Sequence, residues 1–400
     1  MLNKQMRSLE WGWKIALILS LAIILRWHGW SWQTDDFKDF LQPWYQFIQG
    51  NDRFWALKHN FFNYNPPYIY LLVLWSYLFP HFSALAVIKS IAIGLDLGGS
   101  FWVYRWVASL IPKPSHLAQD YPRFPHLAAL FAAALFLIAP TIVLNGSYWG
   151  QCDMAYTTAA IASLYGFSQG YNRLALATFT LALTFKLQAI FTAPVVLILL
   201  LQQQVHWRDL WIVPAVYGLT LVPAAIAGRP WDSLLGVYWQ QFNTYQALTM
   251  NAPSLYQWFP KAPYQLTVTV GLGVAGLVTL GLVGAIVRRW QRLSPVQLVQ
   301  IALGFNLIVP LLLPKMHDRY WFCADVLSFI LAFAQPQTWP VAVVTIAVST
   351  FSYTPYLLGK TFISMKVLSL ALGIFSIYLW RYIFGMTVPV PPFLPKSSRS

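Results

Sequence analysis

A chain of 400 residues that is 58% hydrophobic and 10% charged, with a mean hydropathy of +0.54, is not a soluble globular domain, where about a quarter of residues carry charge. Its net charge of +14 comes from 26 Lys and Arg against 12 acids. In a membrane chain that excess orients loops, and with no basic-aromatic RNA-binding module beside it, it argues against nucleic acid as a partner. Two cysteines, Cys152 and Cys323, are too few for a zinc or disulfide framework.

A membrane span needs about 20 apolar residues. In chain order the apolar runs predict helices over 15–33, 84–108, 127–145, 152–168, 174–186, 188–201, 211–227, 264–287, 295–313, 321–335, 339–358 and 364–384. The expected fold is all-α, a polytopic transmembrane bundle of about 11–13 spans, in one domain over 1–400. The first apolar run, Ile15 to Leu25, has no small-residue cleavage site and is followed by Arg26-Trp27-His28, so it reads as a retained anchor. Trp11, Trp13, Trp27, Trp30 and Trp32 flank it as an interfacial belt would, with sugar stacking as the functional alternative.

Lys and Arg in short loops set the orientation. Lys4, Arg7 and Lys14, Lys113 with Arg123, Arg173, Arg208, the run Arg288-Arg289-Trp290-Gln291-Arg292, and Lys396 with Arg399 all fall in the cytoplasm under one arrangement. It requires the short run 66–80 to be a re-entrant or interfacial helix. It also requires 174–201, with Lys186 near its middle, to be two short helices meeting at the outer side. Both termini are then cytoplasmic in a multi-pass cell-membrane protein. A long first loop over 34–83 faces outward, as do 146–151 and 228–263. Asp35, Asp36, Asp39, Asp52, Asp153, Asp232, Asp318 and Asp325 gather at or near that outer face.

Five segments there carry chemistry. Thr34-Asp35-Asp36-Phe37-Lys38-Asp39 holds three acids beside the membrane, suited either to accepting a proton from a hydroxyl or to a solvated, helix-capping loop. Asn63-Tyr64-Asn65-Pro66-Pro67-Tyr68 makes a sharp extended turn into the short helix. In Ser147-Tyr148-Trp149-Gly150-Gln151-Cys152-Asp153 an acid and an amide sit at a span end, where Asp153 either caps a helix or binds a polar group. Lys186-Leu187-Gln188 puts an ammonium inside an apolar run, where it either snorkels or meets a partner such as lipid phosphate. Lys315-Met316-His317-Asp318-Arg319-Tyr320 crowds four ionisable groups between two spans, and Arg319 offers a planar fork suited to phosphate. There is no zinc-ligand spacing, Walker loop or dinucleotide turn. Asp96, among Gly94, Gly98 and Gly99, has no chemical role evident from sequence and is expected at a close helix contact.

Taken in this order, the segments resemble the motifs of multi-spanning glycosyltransferases of the GT-C fold, most closely bacterial proteins related to the second mannosyltransferase of GPI-anchor synthesis. The likeness runs over about residues 30 to 325 and includes Tyr64-Asn65-Pro66-Pro67, Trp149-Gly150-Gln151-Cys152-Asp153, Lys186-Leu187-Gln188, Asn251-Ala252-Pro253-Ser254-Leu255 and His317-Asp318-Arg319-Tyr320. It departs in carrying Asp318 where Glu is commoner, and in pairing Asp35 with Asp36; the spacing to Phe40 and Trp44 favours Asp36 as base. The resemblance implies transfer of a mannose-like hexose or related sugar from a polyprenyl-phosphate donor to a hydroxyl of a saccharide, lipid or protein acceptor, with inversion. Asp36 is the expected catalytic base. Lys186, His317 and Arg319 are expected to stabilise the leaving phosphate, and Asp35, Asp39, Gln151, Asp153, Gln188, Asp318 and Tyr320 to bind substrate. No cofactor is required, although the acid cluster is able to hold a divalent cation. The rival expectation is a transporter or flippase of lipid-linked saccharide, which intramembrane Lys186 and Asp96 also fit. A structural membrane subunit would leave Lys186 and the 315–320 cluster unexplained.

Overall fold

The computed structural model describes residues 2–111 and 124–386, with side chains from 11 and 125 onward in the two parts. Lys113, Arg123, Lys396 and Arg399, used above for orientation, lie outside the described residues. The chain is an all-α bundle. Helices α1 (Leu2–Gly29), α2 (Gln42–Gly50), α3 (Pro66–Leu78), α4 (Ala84–Leu110) and α5 (Phe124–Phe136) are followed by α6 (Asp153–Ser168), α7 (Asn172–Phe185), α8 (Ala193–Leu201) and α9 (Ile212–Ile226). The last five are α10 (Tyr264–Arg289), α11 (Pro295–Leu312), α12 (Phe322–Ala334), α13 (Trp339–Leu358) and α14 (Met365–Ile383). Local chemistry marks several starts. Ser83 accepts from the Ala86 N–H, and Ser294 forms a capping box with Gln297 ahead of Pro295.

Among the described residues seven helices are long and apolar enough to cross a membrane, or eight if one bent pair counts as a span. This is fewer than the 11–13 expected. The runs at 152–168, 174–186, 188–201 and 321–335 are helical, but α6 has 16 residues, α7 has 14, α8 has 9 and α12 has 13. At 1.5 Å per residue even α6 reaches only about 24 Å, short of the ~30 Å apolar core of a bilayer. Burial explains their hydropathy: α6 and α12 lie in the central core with α4 and α11. The tightest helix pair is α6 with α7. A Cβ on Gly166 would meet the Ala175 Cβ at 3.0 Å, and Ser163 Oγ donates to the Ala175 carbonyl at 2.7 Å. Small residues permit this approach where apolar surroundings leave packing and hydrogen bonds as the main attraction.

Two breaks shape the functional end. The expected span 127–145 is α5 followed by a second helical piece, Pro140–Ile142 running into a π-helical Val143–Trp149, bent by 49°. Pro140 causes the break by forcing Ala139 into an extended conformation (ψ 133°). The run 174–201 divides at Lys186, also extended (φ −152°, ψ 139°), between α7 and the 3-10 helix Leu187–Thr192. That division was expected. The long segment 34–83, expected to be an outer loop, is not loose. Its helices α2 and α3 share a separate apolar core, with Phe37, Tyr45, Ile48, Leu57, Tyr68 and Leu72 packed against Val87, Ile88 and Ile91 of α4 and Leu221 of α9.

Candidate functional site

The five segments converge on one polar cavity of about 510 Å³. Asp36 leads into a π-helical turn, Phe37–Leu41, held by Thr34, whose Oγ1 accepts from the Phe37 N–H at 3.3 Å and donates to the Trp149 carbonyl at 3.4 Å. The Asp36 carboxylate accepts two hydrogen bonds on Oδ2, from Trp149 Nε1 and Gln151 Nε2, each at 2.8 Å. Its backbone N–H donates to the Tyr356 hydroxyl at 2.5 Å. Tyr356, from α13, stacks nearly parallel on Trp149, with ring centroids 4.4 Å apart at 11°.

A second carboxylate lies behind this one. Asp153 does not cap its helix through its side chain. Its Oδ1 accepts from Lys186 Nζ at 2.6 Å, and its Oδ2 from Asn145 Nδ2 at 2.8 Å. Lys186 therefore does not snorkel: it is buried, paired inside the protein, and passes 5.1 Å from the Tyr64 ring centroid. Arg319 lies between the two carboxylates, 3.6 Å from Asp36, 3.7 Å from Asp153 and 3.8 Å from Asp318, over the Trp149 ring at 4.6 Å. None of those distances is a hydrogen bond, and its Nε and Nη1 lack any hydrogen-bond partner. The guanidinium is thus held by charge and by the indole face, with its donors unspent.

The segment 315–320 is pinned by two short parallel strands, Thr249–Met250 with Met316–His317, extended by a bridge from Asn251 to His317. The segment 228–263 reaches the cavity, and Gln241, Thr244, Tyr245, Thr249 and Asn251 line it. His317 packs against Tyr245 and Tyr320. Burial, reinforced by Arg319 nearby, lowers its pKa to about 4, so the imidazole is neutral at pH 7. Burial pushes the Asp318 carboxyl up to about 7 despite the opposing pull of Arg319.

Of the sequence-predicted residues, Asp36, Gln151, Asp153, Lys186, Gln188, His317, Asp318, Arg319 and Tyr320 line the cavity. Asp35 and Asp39 do not; both are exposed, because the turn aims only Asp36 inward. The expected trio of phosphate-facing cations is reduced. Lys186 is already paired with Asp153 and His317 is neutral, leaving Arg319. Lys315 turns away to the Phe242 carbonyl and ring. The two cysteines are free and buried. Tyr356 and Asn145 were not foreseen. Tyr356 lies in an apolar run, where a tyrosine near a span end reads as belt, and nothing local marks it.

A second, apolar groove of about 420 Å³, lined by Ile190, Pro194, Leu197, Leu272, Thr279 and Val309, shares the 3-10 helix Leu187–Thr192 with the cavity. Leu187 and Gln188 line the polar cavity and Ile190 the apolar groove. No family model matches the sequence, and no curated protein is significantly similar to it.

Proposed function

We propose that the chain is a membrane-embedded inverting glycosyltransferase that takes a mannose-like or related sugar from a polyprenyl-phosphate donor at the outer face of the cell membrane. The observation that carries this reading is the setting of Asp36: a carboxylate at the cavity wall, oriented by Trp149 and Gln151, with an unspent guanidinium 3.6 Å away. An acceptor hydroxyl passes its proton to Asp36. Its oxygen bonds to the anomeric carbon as the bond from that carbon to the phosphate oxygen breaks on the opposite face. The departing lipid phosphate gains charge beside Arg319, whose fork suits it, while neutral His317 is able to donate a hydrogen bond. The apolar groove beside the cavity suits a prenyl chain. The resemblance supplies the sugar class.

The transporter reading drew on intramembrane Lys186 and Asp96. Each has a buried counter-charge, Asp153 and Arg26. The test is release of free polyprenyl phosphate when purified protein in lipid meets polyprenyl-phosphate mannose, glucose or arabinose plus a membrane extract of acceptors. Release by wild type and not by Asp36→Asn is the expected result. Release by both would move the base to another acid of the cavity, Asp153 or Asp318. No release by folded protein with any donor would remove the reading and favour the transporter.

A further inference from the structure

Lys89 lies on α4, outside the cavity wall, and is 1% exposed. A buried ammonium normally faces a carboxylate. This one donates to two backbone carbonyls instead, Ser147 at 2.5 Å and Tyr148 at 2.6 Å. Both belong to the last turn of the broken span, where helix carbonyls have no intrahelical donor. Ser147 is buried at 1% exposure, so a protein donor takes the place of water there. Two turns along the same helix, Asp96 packs against Gly146, where a Cβ would come within 2.8 Å of Oδ2. Arg26 binds Asp96 at 3.0 Å and the Leu137 carbonyl, at the break itself, at 2.8 Å. The bent segment is thus clamped at both ends by cations, Arg26 at the break and Lys89 at the tip.

Directly after the tip the chain reverses. Gly150 takes a left-handed conformation (φ 76°), with Ile88 3.1 Å from where a Cβ would be, and turns the backbone so that Gln151 N–H reaches the Asn145 carbonyl at 3.0 Å. Trp149 and Gln151, on either side of that reversal, are the two donors to Asp36. We infer that Lys89 is a positioning residue for Asp36: by tying down the Ser147 and Tyr148 carbonyls, it sets the turn that aims Trp149 Nε1 and Gln151 Nε2 at the carboxylate. The Asp36 oxygen is two hydrogen bonds removed from the ammonium, and Lys89 is not among the residues that line the cavity.

As a claim about turnover this rests on the glycosyl-transfer reading, so its test has an arm that needs no substrate. Cys152 directly follows Gln151 and is buried, and Cys323, the other cysteine, is buried in the central core on α12. Wild type, Lys89→Met and Lys89→Arg are treated with a membrane-permeant maleimide and the labelled cysteine is located by mass spectrometry. Cys152 is expected to react at least tenfold faster in Lys89→Met, Cys323 to stay protected, and Lys89→Arg, which restores the donors, to protect Cys152 again. Where transfer is measurable, Lys89→Met lowers kcat at unchanged donor KM and Lys89→Arg rescues it. Cys152 as protected in Lys89→Met as in wild type overturns the inference, whether or not any sugar is transferred. If Lys89→Met exposes both cysteines it is globally misfolded. Lys89→Gln, which keeps two N–H donors on a chain one atom shorter, is then read by the same two outcomes.

Discussion

Replacing Asp153 by Asn removes a charge while keeping shape, and its cost follows from the geometry. Lys186 Nζ is 2.6 Å from Asp153 Oδ1, with the two side chains 8% and 3% exposed. At an effective dielectric of 20 the attraction at that distance is roughly 6 kcal/mol before desolvation is subtracted. Breaking such a buried pair from one side costs about 3–5 kcal/mol, since the remaining charge has neither water nor a partner. Asp153→Asn is therefore expected to shift the folding equilibrium by about 10²–10⁴-fold. Lys186→Met should cost less, because Asp153 keeps Asn145 at 2.8 Å and Arg319 at 3.7 Å. The double variant should regain most of the loss, since both buried charges disappear together. Equilibrium unfolding in bicelles, driven by an anionic detergent, reads all four free energies and closes a double-mutant cycle. Single variants within about 1 kcal/mol of wild type, or a double variant as unstable as the sum of the singles, would refute the reasoning.

Asp36→Asn should slow transfer by about 10²–10⁴-fold, the span typical of losing a general base, whereas Asp35→Asn and Asp39→Asn leave initial rates within a few-fold. Affinity for polyprenyl phosphate should fall as pH rises through about 7, where the Asp318 carboxyl titrates. Below that pH Asp318 is neutral and leaves Arg319 to the ligand. Above it, an added negative charge competes for the guanidinium and repels the phosphate, by roughly tenfold. In Asp318→Asn the fall should vanish, which titrations at pH 6 and 8 check. Gly146→Ala should cost about 1–3 kcal/mol in unfolding free energy by driving a methyl into the Arg26–Asp96 pair.

Hydropathy is a local property, and so was legible. The positions of the long helices, the division at Lys186 and the sharp turn before α3 followed from runs of apolar residues and from prolines. The chemistry-bearing side chains were legible because a carboxylate or ammonium in so apolar a chain costs too much to be incidental. What a local reading misjudges is why a run is apolar. Core burial and lipid contact look alike in sequence, so α6, α7, α8 and α12 were counted as spans although they are too short to cross alone. Partners were likewise out of reach. Lys186 pairs with Asp153, 33 residues earlier, and Asp36 bonds Tyr356, 320 residues later. That Asp36 lines the cavity, and Asp35 and Asp39 do not, depends on which way one turn faces once Thr34 is held by Trp149. The sequence alone determined that this is a helical membrane chain with a short roster of costly charges at one end. Tertiary structure decided which of those charges neutralise one another, leaving Asp36 oriented and the donors of Arg319 unspent, because only closure of the bundle brings their distant carriers within a few ångströms.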